Sequence, residues 1–435
     1  MIIGHTASEI FDSIRSLVRR GELLPGASLP PVRALAMTLG VNRNTVAAAY
    51  RRLVGAGIAH SQGRAGTFIR QPENLAEREG SLSGSVLIDV SGGNPDPQLL
   101  PDLRHALAQC SLTPGLYGEP VIHPRLERAA RNWMSEDVEH PFSLSLSHGS
   151  VDAVERLLAS YLVPGDRVGV EDPCFLSSIN TLRHNGYQPC AIAVDEHGME
   201  PRALRAALES GIEAVIITPR AHNPCGVSLT PQRAAALRRC LAGYPQVMVI
   251  VDDHFSLLST HPFCQVIAPQ SQRWALVRSV AKIFGPDLRL ACIASDEVTA
   301  QRLGLRLAPG TNWVSHLIQE LAGVLLSSAQ QRTRLAQVRE CYRQRRSLLA
   351  DALRERGVAL QHEHDGLNIW IPLPGGSQRA VLEMAHLGWS VRGGEGFAVG
   401  NASDGLRVTV AALDERQILR LAGDLAQVLS HNLSG

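Results

Sequence analysis

Of the 42 lysines and arginines in this sequence, a single one is lysine: Lys282, in the stretch "RSVAKIFGPDLRLA". A bias toward arginine accounts for the other 41 cations but not for the exception. An amine condenses with an aldehyde to give an imine, and a permanently protonated guanidinium does not. The lone amine therefore points to a carbonyl cofactor held covalently. Polar clusters that could serve such a cofactor recur along the chain, in the order "SHGSVDA", "EDPCF", "TPRAHNPCG", "VDDHF", "SVAK", "LRLA" and, much later, "LRVTV".

These clusters need elements to position them. "VGVED" (168–172), "AVIITP" (214–219), "VMVIVDD" (247–253) and "WALVRS" (274–279) are compact apolar runs that end in polar residues. Helical patterns such as "SVDAVERLLASYL" and "PQRAAALRRCLAGY" separate them. Unalternating strands with intervening helices predict an α/β fold with a mostly parallel sheet covered on both faces. Ligands in such sheets sit at the carboxyl ends of the strands, where the polar clusters fall. From about residue 311 a long helix pattern and the strand candidates "LNIWIPL" and "LRVTVAA" predict a smaller α+β domain.

The first seventy residues differ in character. They hold nine arginines and three acids, a net +6, against −5 for the remainder. Thr6 and Glu9 form a capping box ahead of "SEIFDSIRSLVRR", "PPVRALAMTLG" starts on prolines and stops at Gly40, and Asn42 caps "RNTVAAAYRRLVGAG". Two short helices across a tight turn predict a helix-turn-helix whose second helix presents Arg43, Asn44, Thr45 and Ala47 to a major groove. "IAHSQGRAGTFIR" reads as two short strands around a glycine-rich tip, a wing. With "GELLPGASLP", "LGVNRNTV" and "GRAGTF", this segment resembles the winged helix-turn-helix of the GntR family. The resemblance implies that Arg33, Arg43 and Thr45 contact DNA, with the wing around Arg64 and Gly66 near a minor groove or phosphates.

The clusters after residue 86 resemble the fold-type I pyridoxal-phosphate (PLP) enzymes, the aminotransferase superfamily. Joined to the head, the layout is similar to the MocR subfamily of transcriptional regulators and, within it, to regulators tied to vitamin B6 salvage. By that resemblance Lys282 forms the aldimine with PLP, Asp252 pairs with the ring nitrogen, Asn223 donates to the phenolic oxygen and Phe175 stacks on the ring. Gly149, Ser150, Ser279 and Arg289 would hold the phosphate, using free N–H groups at a helix start. Arg407 would bind the carboxylate of an amine effector such as an amino acid. Tyr117 matches a tyrosine that reaches a neighbouring subunit's phosphate, which implies a homodimer. His254 replaces the family's tyrosine beside the cofactor oxygen, Ala281 its serine, and Ile122-His123 a glycine-containing turn. Those departures shift weight from turnover to sensing.

The expected organisation is a DNA-binding domain over 1–70, a polar tether over 71–85 and an aminotransferase-like, dimerising domain over 86–435. Scattered cysteines without a C-x-x-C pair, no secretion signal and no membrane-spanning run predict a cytoplasmic protein without a metal site. The expected function is a regulator that binds duplex DNA and uses PLP, or a PLP–amine adduct, as its effector. A working aminotransferase with an accessory head and a cofactor-free dimerisation scaffold are the alternatives.

Overall fold

The computed structural model describes residues 1–61, 66–69, 80, 84–111, 113, 115–308, 310, 312–361, 363–373, 375–400 and 404–433. The chain divides into two compact units, one built principally on Met1–Glu77 and a larger one carrying the rest of the fold. Most of the expected tether at 71–85, the wing tip and Arg64 lie outside the described residues.

In the head, α1 (Ala7–Arg19), α2 (Val32–Leu39) and α3 (Arg43–Gly55) are followed by β1 (Ala59–Ser61) and β2 (Thr67–Ile69), an antiparallel pair. The capping box at Thr6 and Glu9 forms, Gly40 ends α2 in the left-handed conformation, and the Asn42 side chain accepts from the N–H of Asn44. Ile10, Ile14, Val46, Ala49 and Leu53 close the core. The Tyr50 hydroxyl donates to the Pro30 carbonyl at 2.7 Å, tying α3 to the start of α2.

The body's strands are β3 (Ile88–Asp89), β4 (Ser143–Ser147), β5 (Arg167–Asp172), β6 (Gln188–Asp195), β7 (Gly198–Met199), β8 (Ala214–Ile217), β9 (Met248–Asp252), β10 (Trp274–Ser279), β11 (Ala291–Ser295), β12 (Asn368–Pro372), β13 (Trp389–Ser390), β14 (Arg392–Gly393) and β15 (Gly405–Thr409). Eight form one sheet in the order β4-β11-β10-β9-β8-β5-β6-β7. The pairs β5–β8, β8–β9 and β9–β10 are parallel, and β11 runs against both its neighbours. Every residue of β8, β9 and β10 is buried, which is why these strands read as unbroken apolar runs rather than alternating ones.

The smaller domain is differently cut from the expectation of residues 311–435. Val314, Leu321, Leu325, Leu335 and Tyr342 pack into the large-domain core, so the helix His316–Ser327 and the first half of Ala329–Glu355 belong there. The second core begins at Leu349 and includes Val90. Its sheet is β12-β15-β14, and β13 pairs in parallel with β3, a segment that enters from the beginning of the body. No helix among the described residues is long and apolar enough to cross a membrane.

Candidate functional site

A cavity of about 290 Å³ opens at the carboxyl ends of β5, β8, β9 and β10. Lys282 reaches it from the short helix Ala281–Phe284, directly after β10, and its Nζ donates to the Gly93 carbonyl at 2.6 Å. Asp252 and His254 arrive from the end of β9, Asn223 from the turn after β8, and Phe175 from the loop after β5. Ser150, Ser279 and Arg289 line the same space, with Ser150 opening the helix Ser150–Ala159. Gly149 caps that helix at φ +99, and a Cβ there would lie 3.0 Å from the Arg289 guanidinium. Glycine is thus what lets Arg289 lie across the helix start, where its Nη2 donates to the His148 carbonyl at 2.9 Å. Among the described residues the non-glycine positive-φ positions are Ala221, two residues before the cavity's Asn223, and Arg289, which lines the cavity itself. Strained backbone concentrates at binding sites because the surrounding structure must hold it there.

Asp252 and Asp253 point into different surroundings. Asp253 is fully buried and takes Arg220 at 2.7 and 2.8 Å and Arg278 at 2.8 Å. Burial pushes its pKa up, but the two guanidiniums hold it below the usual carboxylate range. Asp252 lines the cavity, and its buried Oδ1 has no hydrogen-bond partner among the described residues. Burial, then the Asp253 and Glu171 carboxylates, push Asp252 up to about 7. Burial and then the Lys282 charge bring His254 down to about 4, so its imidazole is neutral at physiological pH.

These residues fit PLP. The floor offers an unanswered acid that a protonated ring nitrogen satisfies, and another part of the lining offers hydroxyls, a helix N-terminus and a guanidinium suited to a phosphate. The only lysine of the chain faces the same space.

Two expected residues lie apart from this cavity. Arg407, on β15, is fully buried; its Nη1 donates to Asn223 Oδ1 at 2.8 Å and its Nη2 to the Ser91 carbonyl. Tyr117 is 92% exposed and sits edge-on to Trp313 at 5.6 Å. In the head, Arg33, Arg43 and Asn44 are exposed, Thr45 is half-buried, and Gly66 takes φ +113.

Sequence reasoning missed Glu171, near the end of β5, and His222, on the turn after the adjacent β8. Glu171 accepts from the Thr218 N–H at 3.2 Å and faces His222 Nε2 at 3.3 Å, both side chains being buried. Burial alone lowers His222, but the Glu171 carboxylate and the Cys225 thiol more than offset it and raise the group to about 10. The signal was present as opposite charges at two strand ends, "ED" and "AHN". The loop "SGGN" at 91–94 was missed as well, though Gly92 and Asn94 line the cavity.

Comparison with known proteins places this geometry among relatives. The family described as aminotransferase class I and II matches residues 86–425, and that of bacterial regulatory proteins, gntR family, matches residues 6–69. The vitamin B6 salvage pathway transcriptional repressor PtsJ of Salmonella typhimurium is 50% identical over 430 residues, covering 99% of this chain and 100% of that protein. The pyridoxine biosynthesis transcriptional regulator PdxR of Corynebacterium glutamicum is 28% identical over 366 residues, 80% of this chain and 78% of that one. A kynurenine aminotransferase structure from Pyrococcus horikoshii superposes with a TM-score of 0.73 at 22% identity, covering 81% and 93% of the two chains, a likeness of fold.

Proposed function

The chain belongs to the aminotransferase class I and II family and carries a gntR-family head, and from that membership we propose that it is a PLP-responsive transcriptional regulator of vitamin B6 salvage. The observation that carries this reading is the presence, in one chain, of an exposed helix-turn-helix and of a cavity where Lys282 and the unpaired Asp252 carboxylate face the same space. The architecture is of the MocR type, with the head over 1–70, the tether over 71–85 and the effector domain over 86–435.

When bound, PLP supplies an aldehyde that an amine can hold covalently and a ring that withdraws electrons through its nitrogen. Lys282 is the amine, and Asp252 holds a proton on the ring nitrogen. Ser150, Ser279, Arg289 and the helix start behind Gly149 take the phosphate, and Phe175 packs on the ring. Asn223, whose Oδ1 accepts from Arg407, would supply a donor for the phenolic oxygen. His254 stands where a tyrosine serves the enzymes, and as a neutral imidazole it supplies neither the phenol nor a positive charge. Arg407 takes an effector carboxylate after leaving Asn223 and Ser91. In the head, Arg33, Arg43, Asn44 and Thr45 read the operator while Arg64 and Gly66 of the wing meet the backbone. Tyr117, exposed next to Leu116 and edge-on to Trp313, suits a homodimer in which it reaches the partner's cavity. We place the protein in the cytoplasm.

Footprinting on the chain's own upstream DNA, with and without PLP, tests the reading. A protected region whose extent or affinity changes with PLP supports it, and footprints identical in both conditions sink it. Steady keto-acid formation from amino acids by catalytic amounts of the protein favours the working enzyme instead.

A further inference from the structure

The carbonyl that receives the Lys282 amine belongs to the buried residue Gly93, between Gly92 and Asn94, which line the cavity. This loop is gripped from the smaller domain as well. Ser91 O accepts from Arg407 Nη2 and from Arg392 Nε, and Gly93 N donates to Thr409 Oγ1 at 3.1 Å. One residue earlier, the Gly92 carbonyl accepts from the N–H of Gly80 at 3.2 Å, and Arg392 Nη2 donates to Gly80 O at 3.3 Å. Gly80 lies in the 71–85 stretch that joins head to body. Residues 91–93 are therefore touched by the lone amine and also by the joining stretch.

We propose that Gly93 is the receiver through which the chemical state of Lys282 reaches the joining stretch and, along it, the DNA-binding head. The proposal rests on the reading above, in which the cavity takes PLP and the head binds DNA. A free ammonium carries three N–H donors, and one of them is spent on Gly93. Condensation of the neutral amine with an aldehyde forms one C=N bond; the two N–H hydrogens leave with the carbonyl oxygen as one water. The nitrogen then keeps at most one proton, fixed in the plane of the new double bond. The Gly93 carbonyl loses its donor inside the protein, where an unanswered acceptor is costly. Gly93 sits at φ +61, and glycine can leave that conformation without a side chain to obstruct it. Reorientation of residues 92–93 removes the acceptor that seats Gly80. Such a loss shifts the populations of two loop arrangements that lie close in free energy.

The test uses the full-length protein and a duplex selected from a random pool for binding to its cofactor-free form. DNA affinity is measured for wild type with and without PLP, and for Lys282→Met and Lys282→Arg. Hydrogen exchange is followed over 71–96. Methionine follows the lysine chain as far as Cε and donates nothing, so Lys282→Met without PLP should show the DNA affinity of PLP-loaded wild type, about fivefold or more from the cofactor-free value. Lys282→Arg keeps a donor and cannot form the C=N bond, so it should give no PLP response. Exchange over 88–96 should quicken in wild type on adding PLP, a readout that does not depend on the variants folding. Unchanged exchange there, or Lys282→Met matching cofactor-free wild type while wild type still answers to PLP, overturns the receiver and leaves the regulatory reading standing. Wild-type DNA affinity that ignores PLP sinks both.

Discussion

Asp252 and Asp253 are neighbours in sequence and differ in what their removal should do. Asp253 compensates two buried guanidiniums, so Asp253→Ala should destabilise the body by up to about 3–5 kcal/mol in denaturant titrations, with Arg220 and Arg278 left to share Asp137. Asp252 is strained toward its neutral form. Its folded value, about 7, lies above the ordinary 3.8, so it favours the folded chain below the ordinary value and loses that contribution as pH rises toward 7. Cofactor-free Asp252→Asn should therefore melt higher than wild type, with the gap wider at pH 8 than at pH 5. A gap that shrinks with rising pH contradicts the assignment. His222 has its folded value raised in the same sense, so its ion pair with Glu171 should hold through neutral pH and fade only as pH climbs through about 10. Lys282 and Asp252 were legible because their types are rare or telling at a strand end. Glu171 and His222 were not, since only the adjacency of β5 and β8 makes them a pair.

Among the elements, α3 carries the clearest expectation. Its start depends on the Asn42 side chain, and Asn42→Ala should lower the head's stability by about 1 kcal/mol, read as faster hydrogen exchange over 43–55. Arg43→Ala leaves that cap intact and should weaken operator binding by about 1–3 kcal/mol in an anisotropy titration. If Arg43 meets phosphate rather than a base, the salt slope should also fall by about one. The helices and strands of both units were readable because capping residues and fully apolar runs are local signals. The division of the body was less so. The pattern of Ala329–Glu355 is one continuous helix, and nothing local shows that Leu335 packs with the large sheet while Leu349 packs with the smaller one.

At the scale of the whole molecule, the proposed homodimer would carry two heads and should protect two half-sites, direct or inverted; a footprint that never exceeds one half-site contradicts that proposal. The order of the parts was legible from charge, motif order and the polar stretch between them. Which domain the body's first residues join was not, because β3 meets β13 across some three hundred residues of sequence. That pairing has a practical and a mechanical consequence. A headless protein must be cut ahead of Ile88, or Trp389 loses its edge. The segment Ile88–Asp89, where the body begins, is also sewn into the lesser lobe rather than the great sheet, so any swing of that lobe should carry this entry point with it.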